Sequence, residues 1–144
     1  MRYLRRPPRI KVLEALGAIA DGRVHVNGKK AKVISSTGER EYEVYVDLDK
    51  RIAKSTDNGT RFRGYVGYPI IAVLMLKGAL PYDERLAQAL KGIPWKRLNE
   101  KYKKYSKVMD LIFEELEKKG IKREEVEQFI DKVLERLSEL GLRG

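Results

Sequence analysis

Lys91, Lys96, Arg97, Lys101, Lys103, Lys104 and Lys107 fall within one short stretch, interleaved with Trp95, Tyr102 and Tyr105. The aromatic residues share one stripe of a helix, which turns the cations onto its outer faces, where they can meet phosphate oxygens. The same pattern also suits a solvated helix with an aromatic inner face. Arg61 and Arg63 flank Phe62 in a segment that reads as an edge strand, which would hold the two guanidinium groups at fixed spacing. Arg2, Arg5, Arg6 and Arg9 form a basic arm that reads as flexible. Each phosphate contact made by such residues would weaken as salt rises, through counterion release. Tyr65, Tyr68 and Tyr82 gather around a turn before an apolar helix; they can stack on bases, ring a small pocket or simply pack.

Other chemistries find little support. His25 is the only histidine and cysteine is absent, which excludes disulfides, thiolate sites, histidine clusters and any Ser-His-Asp triad that does not use His25. Glu114, Glu115, Glu117, Glu124, Glu125 and Glu127 flank the Gly120 turn, where solvated helix faces explain them better than an acid and base pair or a Mg²⁺ site. Gly64 and Gly67 do not make a glycine-rich phosphate loop. The expectation is a protein without catalytic residues, metal or cofactor.

The distribution of charge sharpens this. The 144 residues carry a formal net charge of +10, which favours polyanionic partners or plain solubility. Residues 91–107 hold seven basic and one acidic group, +6 in 17 positions; residues 1–90 hold 17 and 10, +7; residues 108–144 hold seven and ten, −3. Lysine and glutamate are abundant while glutamine and asparagine are scarce, as expected of a thermophile. An archaeal source is the matching expectation. The longest apolar run, Ile70 to Leu76, is far short of the roughly 20 residues that cross a bilayer, and Lys11 and Glu14 interrupt the stretch that an export signal would need. A cytoplasmic protein with no membrane partner is expected.

The elements that must carry these residues follow from periodicity. Ile10, Leu13, Leu16, Gly17 and Ala20 predict a helix over about 8–20, closed by Gly22. Val24 and Val26 alternate with polar residues, Asn27-Gly28 reads as a tight turn with two positive-φ residues, and Lys30 to Ile34 returns as its partner. Tyr42, Val44, Val46 and Leu48 share one face of a further strand, and Arg51 to Ser55 makes another. Pro69 to Gly78 predicts a short buried helix that plugs the sheet, and Asp83 to Lys91 another short helix. Trp95, Leu98, Tyr102, Tyr105, Met109, Ile112 and Leu116, spaced alternately by three and four, predict one helix running from Pro94 to about Lys119. A last helix over about 122–140 would pair with it. The fold class is α+β: an antiparallel meander with a packed helix over 8–80 and a helical extension over 81–144, together one domain.

The stretch from Gly22 to Leu76 resembles the SWIM-type zinc-finger module, a ββα unit in which a C-x-C pair follows the strands and a C-x-H pair opens an apolar helix. Gly67-Tyr68-Pro69 followed by Ile70-Ile71-Ala72-Val73-Leu74 stands where that family has its last ligand pair and helix. Ala53-Lys54-Ser55 stands where its first pair would fall. All four ligand positions lack donors, so the resemblance implies a degenerate, metal-free module. Apolar burial would then replace the folding energy of a structural zinc, on the order of 10 kcal/mol or more. SWIM modules imply nucleic-acid or protein contacts. The expected function is a non-catalytic protein binding DNA or RNA through Arg61, Arg63, Lys96, Arg97, Lys101, Lys103, Lys104 and Lys107. The alternative is a protein-interaction module or homodimeric adaptor that presents a groove from the Ile70 helix and the C-terminal helical hairpin.

Overall fold

The computed structural model describes residues 2–144. The chain folds as an α+β protein with a four-stranded antiparallel sheet in the order β1-β2-β3-β4, where β1 is Val24–Asn27, β2 Lys30–Ile34, β3 Glu41–Asp47 and β4 Ile52–Ser55. Alternation decides the faces. Val33, Val44, Val46 and Ala53 are buried on one side, while His25, Lys32, Glu43 and Lys54 are exposed on the other. The first hairpin closes with Asn27 opposite Lys30. Between them Gly28, but not Lys29, has a positive φ, 64°. The turn is therefore one residue later than the Asn27-Gly28 expectation, with glycine first, the pattern of a type II′ turn.

Helix α2 (Tyr68–Leu76) lies on the sheet, and its residues from Pro69 to Met75 are all buried. A helix that is apolar all round has no face to present, so the docking groove expected of this helix is not formed by it. Helix α1 (Ile10–Ala20) packs on α2 and is itself buried from Val12 to Ala18. Helices α3 (Glu84–Ala89) and α6 (Arg123–Leu140) pack against α1, and α6 also against the helix that precedes it in the chain. One apolar core runs from Ile10 to Leu142.

Two segments depart from the sequence reading. The helix expected over 94–119 is two helices, α4 (Trp95–Tyr102) and α5 (Tyr105–Lys118), broken where Lys103 takes the left-handed conformation, φ 57°. A lysine there costs about 1–2 kcal/mol relative to right-handed backbone. Trp95, Met109, Ile112 and Leu116 are buried as the stripe requires, but Tyr105, just past the break, is 41% exposed.

The expected strand at Arg61-Phe62-Arg63 is a π-type helical turn, Gly59–Arg63. Asp57 explains it: its carboxylate accepts hydrogen bonds from the Thr60 backbone N–H (3.1 Å) and from Thr60 Oγ1 (2.9 Å), while Gly64 at φ 70° stops the turn.

The basic arm is not free. The N–H of Leu4 donates to the Leu142 carbonyl, that of Arg5 to Gly64, and that of Val66 to Arg5. Arg9 is ion-paired with Glu127 (2.9 Å) and Asp131 (2.7 Å) of α6. The N-terminal and C-terminal segments together cover the outer edge of β4, where the N–H of Ala53 donates to the Arg143 carbonyl.

Candidate functional site

A cleft of about 500 Å³ opens where α1, α4 and the loops at one end of the sheet meet. Helix α1 supplies Lys11 and Glu14, one turn apart on the same face. Arg23 follows α1; Ser35 and Ser36 follow β2; Tyr42 comes from β3. The turn before α2 contributes Asp57, Asn58, Gly59, Arg63 and Tyr65, and Tyr68 stands at the start of that helix. Trp95, Lys96, Asn99, Glu100 and Lys103 come from α4 and its end, and Tyr105 from the start of α5. Five cations (Lys11, Arg23, Arg63, Lys96, Lys103) face three carboxylates (Glu14, Asp57, Glu100), an excess of two positive charges.

Two close approaches fix the walls. Gly17 on α1 leaves room for Trp95, since a methyl group there would lie 2.7 Å from the indole Nε1. Gly67 lies against Asp57 so closely that a methyl group would fall 2.1 Å from Oδ2, and its N–H donates to Thr60 Oγ1 (3.0 Å). Helix α4 is anchored by the Lys96 N–H donating to Ser36 Oγ (3.1 Å). Tyr42 and Tyr68 meet edge to face, 6.2 Å between ring centroids.

The floor is polar and strongly coupled. Lys11 Nζ lies 2.9 Å from Glu14 Oε2, with the two side chains only 13% and 5% exposed. The same ammonium stands 5.0 Å above the Tyr105 ring. Burial alone would lower the Lys11 pKa, but the Glu14 carboxylate, with Tyr105 and Tyr65 adding to it, carries the balance well above the ordinary lysine range. Burial pushes the Tyr65 hydroxyl up to about 12, with Lys11 opposing and Tyr105 reinforcing the shift, and burial likewise raises Tyr68 and Tyr42. Perturbed groups gathered in one cleft are the usual signature of a functional site.

Among the described residues, the buried side-chain polar atoms without a hydrogen-bond partner are Glu14 Oε2, Arg23 Nη2, Trp95 Nε1 and Asn99 Oδ1, and all four residues line this cleft. Lys11 compensates the charge on Glu14, so its oxygen is the least exceptional of the four. An orphaned buried polar group costs about 1–3 kcal/mol, which makes their coincidence in one place a feature to be explained.

The sequence-predicted residues divide among surfaces. Arg63, Lys96 and Lys103 converge on the cleft. Arg97, Lys101, Lys104 and Lys107 are exposed and lie outside it. Arg61 faces a separate groove of about 660 Å³ on the outer side of the sheet, beside His25, Lys32, Tyr45 and Lys54. Arg61 and Arg63 also border a depression shared with Arg2 and Arg5. Of the eight predicted cations only Lys96 forms an ion pair among the described residues, with Glu39 at 3.3 Å. Tyr65 and Tyr68 line the cleft, whereas Tyr82 is elsewhere, hydrogen-bonded to Glu84. No three His, Cys, Asp or Glu side chains form a metal-ligating group among the described residues. Ala53 and Ser55 stand on β4, and Gly67 caps α2.

Sequence reasoning missed Lys11, Glu14, Arg23, Tyr42 and Asn99. One signal was available: a Lys-x-x-Glu pair inside a helix that is otherwise almost wholly apolar puts two charges where burial leaves room for few.

A family model described as "Uncharacterised conserved protein UCP014422" matches residues 4–143. No curated protein and no solved structure matches the chain.

Proposed function

The chain belongs to the family described as uncharacterised conserved protein UCP014422, and we propose, from the placement of its cations, that it is a non-catalytic nucleic-acid-binding protein that grips phosphates along α4 and the start of α5. The observation that carries this reading is the convergence of Arg63 with Lys96 and Lys103 on one cleft, although 33 to 40 residues of sequence separate them. Arg97, Lys101, Lys104 and Lys107 continue the cationic surface beside it, and none of these four has a carboxylate partner among the described residues. Unpaired cations held on ordered backbone are available to phosphate oxygens without first breaking an internal ion pair. The resemblance of residues 22–76 to the SWIM module supports the same role. Binding rather than catalysis fits the cleft floor, where Lys11 and Glu14 neutralise each other.

Fluorescence anisotropy with a labelled single strand of about 12 nucleotides, and with duplex DNA and RNA, tests the proposal. A Kd well below about 0.1 mM at about 50 mM salt, weakening steeply toward about 200 mM, is expected. Affinity no tighter than about 0.1 mM for every probe at low salt refutes it.

A further inference from the structure

We propose that the cleft between α1 and α4 takes a single nucleotide, its base enclosed by the tyrosine walls and its phosphate held at the mouth by Arg63, Lys96 and Lys103. The inference rests on the phosphate-binding reading above and adds a defined site to it. Three features point to this ligand. The volume, about 500 Å³, falls within the range of small-molecule sites and accommodates one nucleotide, not a duplex. The walls carry the rings of Tyr42, Tyr65, Tyr68 and Tyr105; Lys11 stands over one face of Tyr105 and Tyr42 meets Tyr68 edge to face, which leaves the remaining ring faces for a base to stack on.

The third feature is the polar floor. Arg23 Nη2 makes no hydrogen bond of good geometry, although its guanidinium lies near the Tyr68 hydroxyl, and Asn99 Oδ1 is an acceptor without a donor, both atoms buried. The edge of a nucleobase offers both kinds of group on a flat ring, which a phosphorylated sugar and inorganic phosphate both lack. The Asn99 side chain is half-buried, and its Nδ2 is turned toward Glu14 Oε1 at a long 3.5 Å, which leaves Oδ1 without a donor. Lys11 holds Glu14 in place, leaving the carboxylate as a second acceptor at the same depth.

Trp95 is the sole tryptophan and lines the cleft, so its fluorescence reports occupancy directly. The experiment titrates the full chain with the four ribonucleoside 5′-monophosphates, with ribose 5-phosphate and inorganic phosphate as controls, and with a 5′-phosphorylated oligonucleotide. At least one nucleoside monophosphate should change the Trp95 emission saturably at sub-millimolar concentration, and ribose 5-phosphate should not. Asn99→Ala should weaken that binding about tenfold, the equivalent of one good polar contact. Arg63→Gln should also weaken it, and should narrow the gap between a monophosphate and its phosphate-free nucleoside, because the lost contact is the one to phosphate. Competition by the oligonucleotide assigns the nucleotide to a strand; its absence assigns the site to free nucleotides.

No base-dependent response from the wild type, or an Asn99→Ala variant that folds and binds mononucleotides unchanged, overturns the site. Failure of the surface reading looks different: mononucleotides bind the cleft, but strands show no salt-dependent affinity. Failure of the cleft alone leaves strand binding intact and indifferent to Asn99→Ala.

Discussion

Replacing Lys11 by methionine removes the partner of a carboxylate that is 5% exposed and leaves the Glu14 charge without compensation. Breaking a buried pair from one side costs about 3–5 kcal/mol, several times the value of a surface pair. Loss of the ammonium above the Tyr105 ring adds to this in the same direction. With a urea slope of about 2 kcal/mol per molar, the unfolding midpoint of Lys11→Met should fall by about 2 M. The double variant Lys11→Met/Glu14→Leu exchanges the pair for apolar groups of similar size in a helix whose neighbours are Val12, Leu13, Ala15 and Leu16, all fully buried. Such exchanges are often neutral or stabilising by about 1–4 kcal/mol, so the double variant should regain most of what the single one loses. The coupling energy from the cycle should reach at least about 2 kcal/mol. A Lys11→Met variant within about 1 kcal/mol of wild type refutes the reasoning, because the pair would then behave as an exposed one. If the double variant is as stable as wild type, the pair is retained for the cleft and not for folding.

Two further outcomes follow from the same site. Gly17→Ala places a methyl group 2.7 Å from the Trp95 Nε1, so despite the helix propensity gained it should destabilise by about 1–2 kcal/mol and shift the tryptophan emission; a rise in thermal midpoint contradicts this packing. The raised pKa values of Tyr42, Tyr65, Tyr68 and Lys11 favour the neutral phenols and the ammonium in the folded state. Their contribution is complete below the unfolded values, about 10, and is lost as pH climbs through the folded ones. Urea midpoints should hold to about pH 9 and drop by about pH 11, and tyrosinate absorbance should rise in two phases, whereas a single phase near pH 10 for all tyrosines contradicts the burial.

Strong periodicity made most of the architecture legible. Helix α1, the first hairpin, β3 and the buried α2 follow from apolar spacing and from glycine at chain reversals, since burial of a face leaves a repeating trace in sequence. The break at Lys103 leaves no such trace, because Tyr102 and Tyr105 keep the helical spacing across it and lysine is not a residue expected in left-handed backbone. At Arg61-Phe62-Arg63, alternation suggested a strand, but capping by Asp57 and the stop at Gly64 decided the local fold. Tertiary placement gave the cleft Arg63 but not Arg61, and brought Arg63 to Lys96 and Lys103, which spacing alone does not show. The cleft floor was hidden for a related reason: Arg23, Asn99 and the Lys11–Glu14 pair come together only through packing of α1 against α4 and the sheet end.

If the exposed cations of α4 and α5 hold a strand, they must release counterions in proportion to their number. Arg63 together with Lys96, Arg97, Lys101, Lys103, Lys104 and Lys107 makes seven engaged cations, which on a single strand give a slope of log affinity against log salt of about −5, at about 0.7 per phosphate. Removing Lys101, Lys104 and Lys107 as glutamines should bring the slope to about −3 with folding unchanged, since none of the three makes an ion pair among the described residues. A triple variant with the wild-type slope would contradict phosphate binding by this surface.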